Sequence, residues 1–212
     1  MAVLLSSTRV RVDLARPDLT RIDVRRDIAE PLARIARFGA HMSIRRADGR
    51  IWTVGQHCVV GAKALAAETG DVNLGFAFLL HDAHEAFIGD IASPVAATLG
   101  EMMGPAGRVL FQRTLAELKR RLDAEIHRIA GLTVSDRARA IVHRMDMAML
   151  AAEARQILGF DPARDPASWP AECLSAPDVR TDGALSPWPQ KRIADEWMAL
   201  WDEWRIRPAA AA

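Results

Sequence analysis

The sequence predicts an all-α protein: one domain, a helical bundle, with a short extended pair at its N-terminus. Three observations carry that expectation. Apolar residues recur at three- and four-residue spacing in six separate segments, the period of a helix with one buried face. Strict alternation of apolar and polar residues, the strand signature, is confined to residues 1–27. Neither an internal repeat nor a linker-like stretch divides the 212 residues, a length that one core can organise.

Within residues 1–27, "TRVRVDL" and "TRIDVRR" read as short extended pieces. From Asp27 the pattern turns helical: Ile28, Leu32, Ile35 and Phe38 follow at helical intervals, and Gly39 suits the left-handed residue that closes a helix. Asp48-Gly49 marks a turn. The next helix is expected from about Val54 to Glu68, stopping at Gly70. Another is expected over 73–86, "NLGFAFLLHDAHEA", with Asn73 as N-cap; its first half is apolar on all sides, as in a central buried helix. Gly89 and Pro94 break it. A long helix covers about 105–130, where Leu110, Leu115, Leu118, Leu122 and Ile126 keep near-helical spacing. One more runs from Ser135, its N-cap, to Leu158. Residues 159–190 hold six of the eleven prolines and read as a long irregular segment. The last helix, from about Gln190 to Trp204, carries Trp197, Trp201 and Trp204 at i, i+4 and i+7, a stripe expected to pack in the core.

Composition narrows the function classes. A formal net charge of +1 gives none of the basic excess of a nucleic-acid binder. Arginine supplies all but three of the 28 basic residues, a skew that suits phosphate recognition but that genomic base composition also explains. Cys58 and Cys173 form neither a disulfide framework nor a CxxC pair, which fits a reducing, cytoplasmic setting. The apolar run in "MAVLLSSTRVRVD" is too short for a signal peptide, and no stretch is apolar enough to span a membrane. Neither nucleic acid nor membrane is therefore an expected partner, whereas a homo-oligomer is compatible with these data.

The chemistry concentrates in "LLHDAHEAFIGD", residues 79–90, with two His, two Asp and one Glu at the end of an apolar run. Buried charge is costly unless it is paired or bound to a metal, so this cluster needs partners. On a helix His81 and Glu85 share one face, with Asp82 beside them. His57 lies on the preceding helix and meets His81 and Asp82 if the two helices pack antiparallel. Asp146 stands among Ile141, Val142, Met145, Met149 and Leu150, where an unpaired carboxylate would be expensive. Two imidazoles and two carboxylates form a mixed set that suits one divalent transition metal (Mn, Co, Fe, Ni or Zn) better than calcium. Open positions left for water and substrate make the set catalytic rather than structural. The order H-D-A-H-E differs from the H-E-x-x-H of helical metalloproteases. His84 is expected to support the site or to pack, and His41 and His143 carry no signal of their own.

Taken together, His57, His81-Asp82 and Asp146 resemble the H…HD…D signature of the HD-domain metal-dependent phosphohydrolases. Within that superfamily the likeness is to the branch of YfbR-like 5′-deoxynucleotidases and phage-type dNTP phosphohydrolases. It rests on "TVGQHCVVGAKAL" around His57, "LLHDAHEAFIGDIASPV", the element Arg37-Phe38-Gly39 with His41, and Glu153–Arg155 after Asp146. The resemblance spans roughly residues 28–158. It implies an HD-type helical core there, an N-terminal extension over 1–27, and a Pro-rich segment and Trp-striped helix over 159–212 packing on that core. It implies hydrolysis of a (deoxy)nucleoside 5′-phosphate, mono- or triphosphate, by a metal-activated water, with Mg as a candidate second ion at the substrate phosphates. Glu85 would orient that water or shuttle protons, and Asp90 would do the same from the other side. Arg37 would neutralise phosphate charge. Phe38 or Trp52 would flank the sugar or base, although packing is the better explanation of each on its own.

Two other readings stay open. One is a hydrolase of alarmones or other signalling nucleotides; its cyclic-dinucleotide branch carries a G-Y-P element, and this chain has no tyrosine. The other is a nucleotide sensor that binds metal without turnover, which loss of Glu85 or Asp90 would favour; both are present. No phosphate-binding P-loop, G-x-S-x-G or dinucleotide fingerprint points to other chemistry.

Overall fold

A computed structural model describes residues 3–43 and 48–205, and the outer ends of the 1–27 and 159–212 segments lie outside them. Two short strands, β1 (Val3–Leu5) and β2 (Arg11–Asp13), pair antiparallel with Leu4 opposite Val12. Every other regular element among the described residues is helical, so the architecture is all-α with one small hairpin.

The helix expected from Asp27 to Phe38 is instead broken early. A π turn over Arg25–Ala29 runs into one turn of helix, α1 (Glu30–Leu32). The chain then leaves the helix because it has other partners. The Ile35 carbonyl accepts from Val54 N at 2.9 Å, and Arg37 N donates to the Trp52 carbonyl at 3.1 Å. Ala36 bridges Thr53 antiparallel. Phe38, Gly39 and Ala40 follow with left-handed φ of 55°, 58° and 64°. Two of those three are not glycine, so this turn is strained.

Thr53 caps α2 (Val54–Thr69), its hydroxyl accepting from Gln56 N, and left-handed Gly70 closes it. The link to α3 (Val72–Leu80) is so short that the two helices pack as antiparallel neighbours. Asp71, not Asn73, is the N-cap of α3, accepting from Asn73 N. The helix expected through residue 86 ends at Leu80. Tight turns carry the chain through His81–His84 into α4 (Glu85–Ile88). α2 and α3 cross closely because Gly61 faces the Phe78 ring, which occupies the space a Cβ would need.

The sequence reading missed α5 (Ser93–Met102): Pro94 reads as a breaker but lies in the first turn, where its missing N–H costs nothing. α6 (Gly104–Ala130) follows the expected span, yet only the C-terminal part of its apolar stripe is covered. Leu122 and Ile126 are buried, whereas Leu110 is 65% exposed. α7 (Asp136–Gln156) begins at Ser135, whose hydroxyl accepts from Ala138 N. The Pro-rich segment contains two single 3-10 turns, Pro162–Arg164 and Pro166–Ser168, and one short α-helix, α8 (Ala171–Leu174). α9 (Gln190–Trp204) buries Trp197 and Trp201 against α2 and α3, with Trp201 edge-on to Phe76. Trp204 is half-buried at the end of that stripe. No helix among the described residues is long and apolar enough to cross a membrane.

Candidate metal centre

Three elements bring His57, His81, Asp82 and Asp146 to one point. His57 lies in the first turn of α2, His81 and Asp82 just beyond the end of α3, and Asp146 midway along α7. His57 Nε2 is 3.2 Å from Asp146 Oδ1, 3.4 Å from His81 Nε2 and 4.0 Å from Asp82 Oδ2. His81 Nε2 is 3.1 Å from Asp82 Oδ2 and 3.7 Å from Asp146 Oδ1. An ion with bonds of about 2.0–2.2 Å needs neighbouring donors roughly 3.0–3.5 Å apart, close to this spacing.

The opposite ends of the two rings explain why those donors face inward. His57 Nδ1 donates to Glu153 Oε1 at 2.6 Å, and His81 Nδ1 donates to the Phe78 carbonyl at 2.7 Å. That carbonyl is available because the last carbonyls of a helix lack helical partners. A carboxylate and a carbonyl only accept, so each neutral ring keeps its proton on Nδ1 and turns the Nε2 lone pair toward the cluster. The two Nε2 lone pairs then converge with Asp146 Oδ1, Asp82 Oδ2 lying on the His81 side, without a proton to share. In the ion-free protein the imidazoles solve this by holding protons. Burial and the Arg37 charge push His57 down, but Glu153 and Asp146 outweigh them and raise its pKa. Burial also opposes a charge on His81, yet Asp82 and Asp146 raise it well above the usual range. The same contacts overcome burial to hold Asp82 and Asp146 below theirs. His57, His81 and Asp146 could thus hold a metal ion in place of the protons, with Asp82 bordering that set beside His81.

The sequence marked Glu153 only as part of the string Glu153–Arg155 and gave it no role in the site, although it lies two turns beyond Asp146 and hence on the same face of α7. It is fully buried and accepts from three donors: His57 Nδ1, Trp52 Nε1 at 2.9 Å and Arg37 Nε at 3.1 Å. Burial pushes its carboxyl up, but Arg37 and His57 hold it below the ordinary value. Trp52 therefore corrects the expectation of a substrate-facing ring: it has no exposed surface and anchors Glu153. Arg37 closes no helix. It enters the site from the strained turn, its Nη1 3.6 Å from Asp82 Oδ2, with both neighbouring carboxylates already drawing on its fork. Phe38 is half-buried beside it, the guanidinium 5.4 Å from the ring centre.

Glu85 lies in the first turn of α4, and burial, Asp82 and Asp90 push its carboxyl up to about 8. Asp90, beyond the end of α4, is raised as well, by burial and by Asp82. Lys119 of α6 adds a second positive charge near both, unforeseen in the sequence. Cys58 is also close to His81 and Asp82, but burial raises its thiol to about 11, which leaves it protonated. His84 is buried with Nδ1 2.9 Å from Asp123 Oδ1, while His41 and His143 are exposed. No protein-family model matches this chain, and no curated protein matches it.

Proposed function

We propose that this chain is a metal-dependent phosphohydrolase of the HD-domain type, acting on a nucleotide, with (deoxy)nucleoside 5′-phosphates as the substrate class. The observation that carries the reading is the set of two Nε2 and two carboxylate donors whose tautomers are locked by Glu153 and the Phe78 carbonyl. A mixed nitrogen and oxygen set of this kind favours Mn, Fe, Co, Ni or Zn. Such an ion acidifies a bound water and polarises a phosphoryl oxygen.

The chain's own residues supply the remaining parts. Glu85, with its carboxyl raised to about 8, is poised to take up and release protons near neutral pH. Arg37 stays charged at any working pH and presents its guanidinium beside Asp82, where an incoming phosphate meets it. Phe38, on the edge of the same turn, offers a flat face to a sugar or base.

The test is release of phosphate or polyphosphate from a panel of nucleoside mono- and triphosphates, ribo- and deoxyribo-, with Mn, Co, Mg and Zn in turn. Ion-dependent release that disappears in Asp146→Asn is expected. Absence of release from every nucleotide by protein shown to carry the ion would overturn the reading.

A further inference from the structure

We propose that two copies of this chain pair through the α5–α6 hairpin about a two-fold axis, so that the two hairpins form a four-helix bundle. Across residues 93–121 only Gly100 is buried. Six of the ten large apolar residues exposed among the described residues lie here: Val95, Leu99, Met102, Met103, Val109 and Leu110.

The hairpin cannot fold these side chains into a seam of its own. α5 packs chiefly on α6, and glycines hold the two helices close. A Cβ on Gly107 would stand 2.7 Å from Met103 Cβ, and one on Gly100 would stand 3.0 Å from Arg108 Cγ. A seam this tight has no room for Leu or Met, so the larger side chains point outward. Val95, Leu99 and Met102 recur at i, i+4 and i+7 and form one stripe along α5. Met102 is 80% exposed. A two-helix hairpin that buries almost nothing is too small to hold its own structure in water; a second layer of helices has to cover it.

The charges identify the occupant as a second copy. Residues 93–118 carry Glu101, Glu117, Arg108 and Arg113, two of each sign, so neither an acidic protein nor an anionic bilayer meets a basic excess here. Glu117 is paired with Arg120 and Arg121, whereas Glu101 and Arg113 have no charged partner among the described residues. Those two stand at opposite ends of the apolar patch. Arg113 lies about 13 Å down α6 from Gly104, and Glu101 is at the tip of the hairpin. A two-fold axis about 6 Å below the tip, through the middle of the patch, exchanges the two levels. Glu101 of each copy then comes level with Arg113 of the other, with the apolar side chains of both copies between them. Two-fold pairing sets the same patch on both sides, and an apolar centre with charges at its edge is the make-up of a homodimer interface. Lys119, at the base of the hairpin, is close to Glu85 and Asp90, so pairing also steadies that side of the candidate site.

Sedimentation equilibrium of the full chain tests this with neither substrate nor metal, so the outcome is separate from that of the proposed hydrolysis. Two chains per particle are expected. Leu110→Asp alters an exposed position and should give single chains whose buried Trp197 and Trp201 keep their fluorescence. Glu101→Arg and Arg113→Glu should each weaken pairing roughly 10-fold, since each sets like charges together at two symmetric contacts. The double variant Glu101→Arg/Arg113→Glu restores opposite charges and should recover most of the loss. A parent that stays single at every concentration, or that grows into particles larger than two, overturns the proposal. So does a Leu110→Asp variant that still pairs, or a double reversal that pairs no better than the single ones.

Discussion

Glu153 and Glu85 are the same residue type within one site, and their surroundings divide the work between them. Three donors surround Glu153 and keep it ionised, so its task is to hold His57 and Arg37. Glu153→Gln keeps the shape but removes the charge that fixes the His57 proton on Nδ1. Ion affinity measured by titration should fall about 10- to 100-fold, the usual effect of losing the acceptor behind a ligating histidine. Unchanged affinity would mean that packing alone orients the ring. Glu85 meets the opposite surroundings, burial and two acidic neighbours, and keeps its proton up to about pH 8. Glu85→Ala should leave the ion on His57, His81, Asp82 and Asp146 in place while hydrolysis falls roughly 100-fold or more. Near-parental turnover with that ion present would make Glu85 a packing residue.

At the level of elements, what the sequence disclosed depended on how local its signal was. His81-Asp82 lie in one string, and Asp146 stood out because a lone carboxylate in an apolar helix face is expensive. The structure brings these residues to His57, although the helix expected to carry His81 and Glu85 together ends at Leu80, before either of them. Ile35 and Phe38 extend the helical spacing beyond Leu32, yet the Thr53 segment captures the backbone there, a long-range pairing that no local pattern shows. Pro94 misled for the converse reason, since its meaning depends on whether it opens a helix or interrupts one. Trp52 and Glu153 are 101 positions apart, and only the fold reveals that one holds the other. The α2–α3 crossing gives an element-scale prediction. Phe78 lies between the packing surface at Gly61 and the rings of His57 and His81, 5.5 Å and 4.4 Å away. Gly61→Ala should displace Phe78, cost about 1–3 kcal/mol and weaken ion binding together. Thermal melts and a Co2+ titration check both, and a stable variant with parental affinity would sever that link.

For the molecule as a whole, the protons held in the ion-free centre tie stability to pH. His57 and His81 have raised values, so their contribution is complete below about pH 6.5 and lost as pH rises through the folded-state values. Glu85 acts in the same direction: from about pH 4.5 to about 8 the folded protein retains a proton that the unfolded chain has released. Asp82, Asp146 and Glu153, with lowered values, lose their contribution only in acid. The melting temperature of chelated protein should therefore fall between pH 6 and pH 8.5, while apparent ion affinity rises as the protons are displaced. A chelated melting temperature that climbs over that interval would contradict this ordering.

Since His57 and Asp146 belong to distant parts of the chain, an ion gripping both closes a loop of about 90 residues, and closing so long a loop costs little more than closing one half its length. The centre can thus act as a reversible cross-link, doing for this nearly cysteine-free chain what a disulfide does elsewhere, with metal supply in place of redox potential as its control. At free ion about 100-fold above its dissociation constant, that link contributes about 2.7 kcal/mol, or roughly 5–10 °C in a chain of this size. Chelation should remove that margin and restoring the ion should return it, a cycle that differential scanning calorimetry can follow on a single sample.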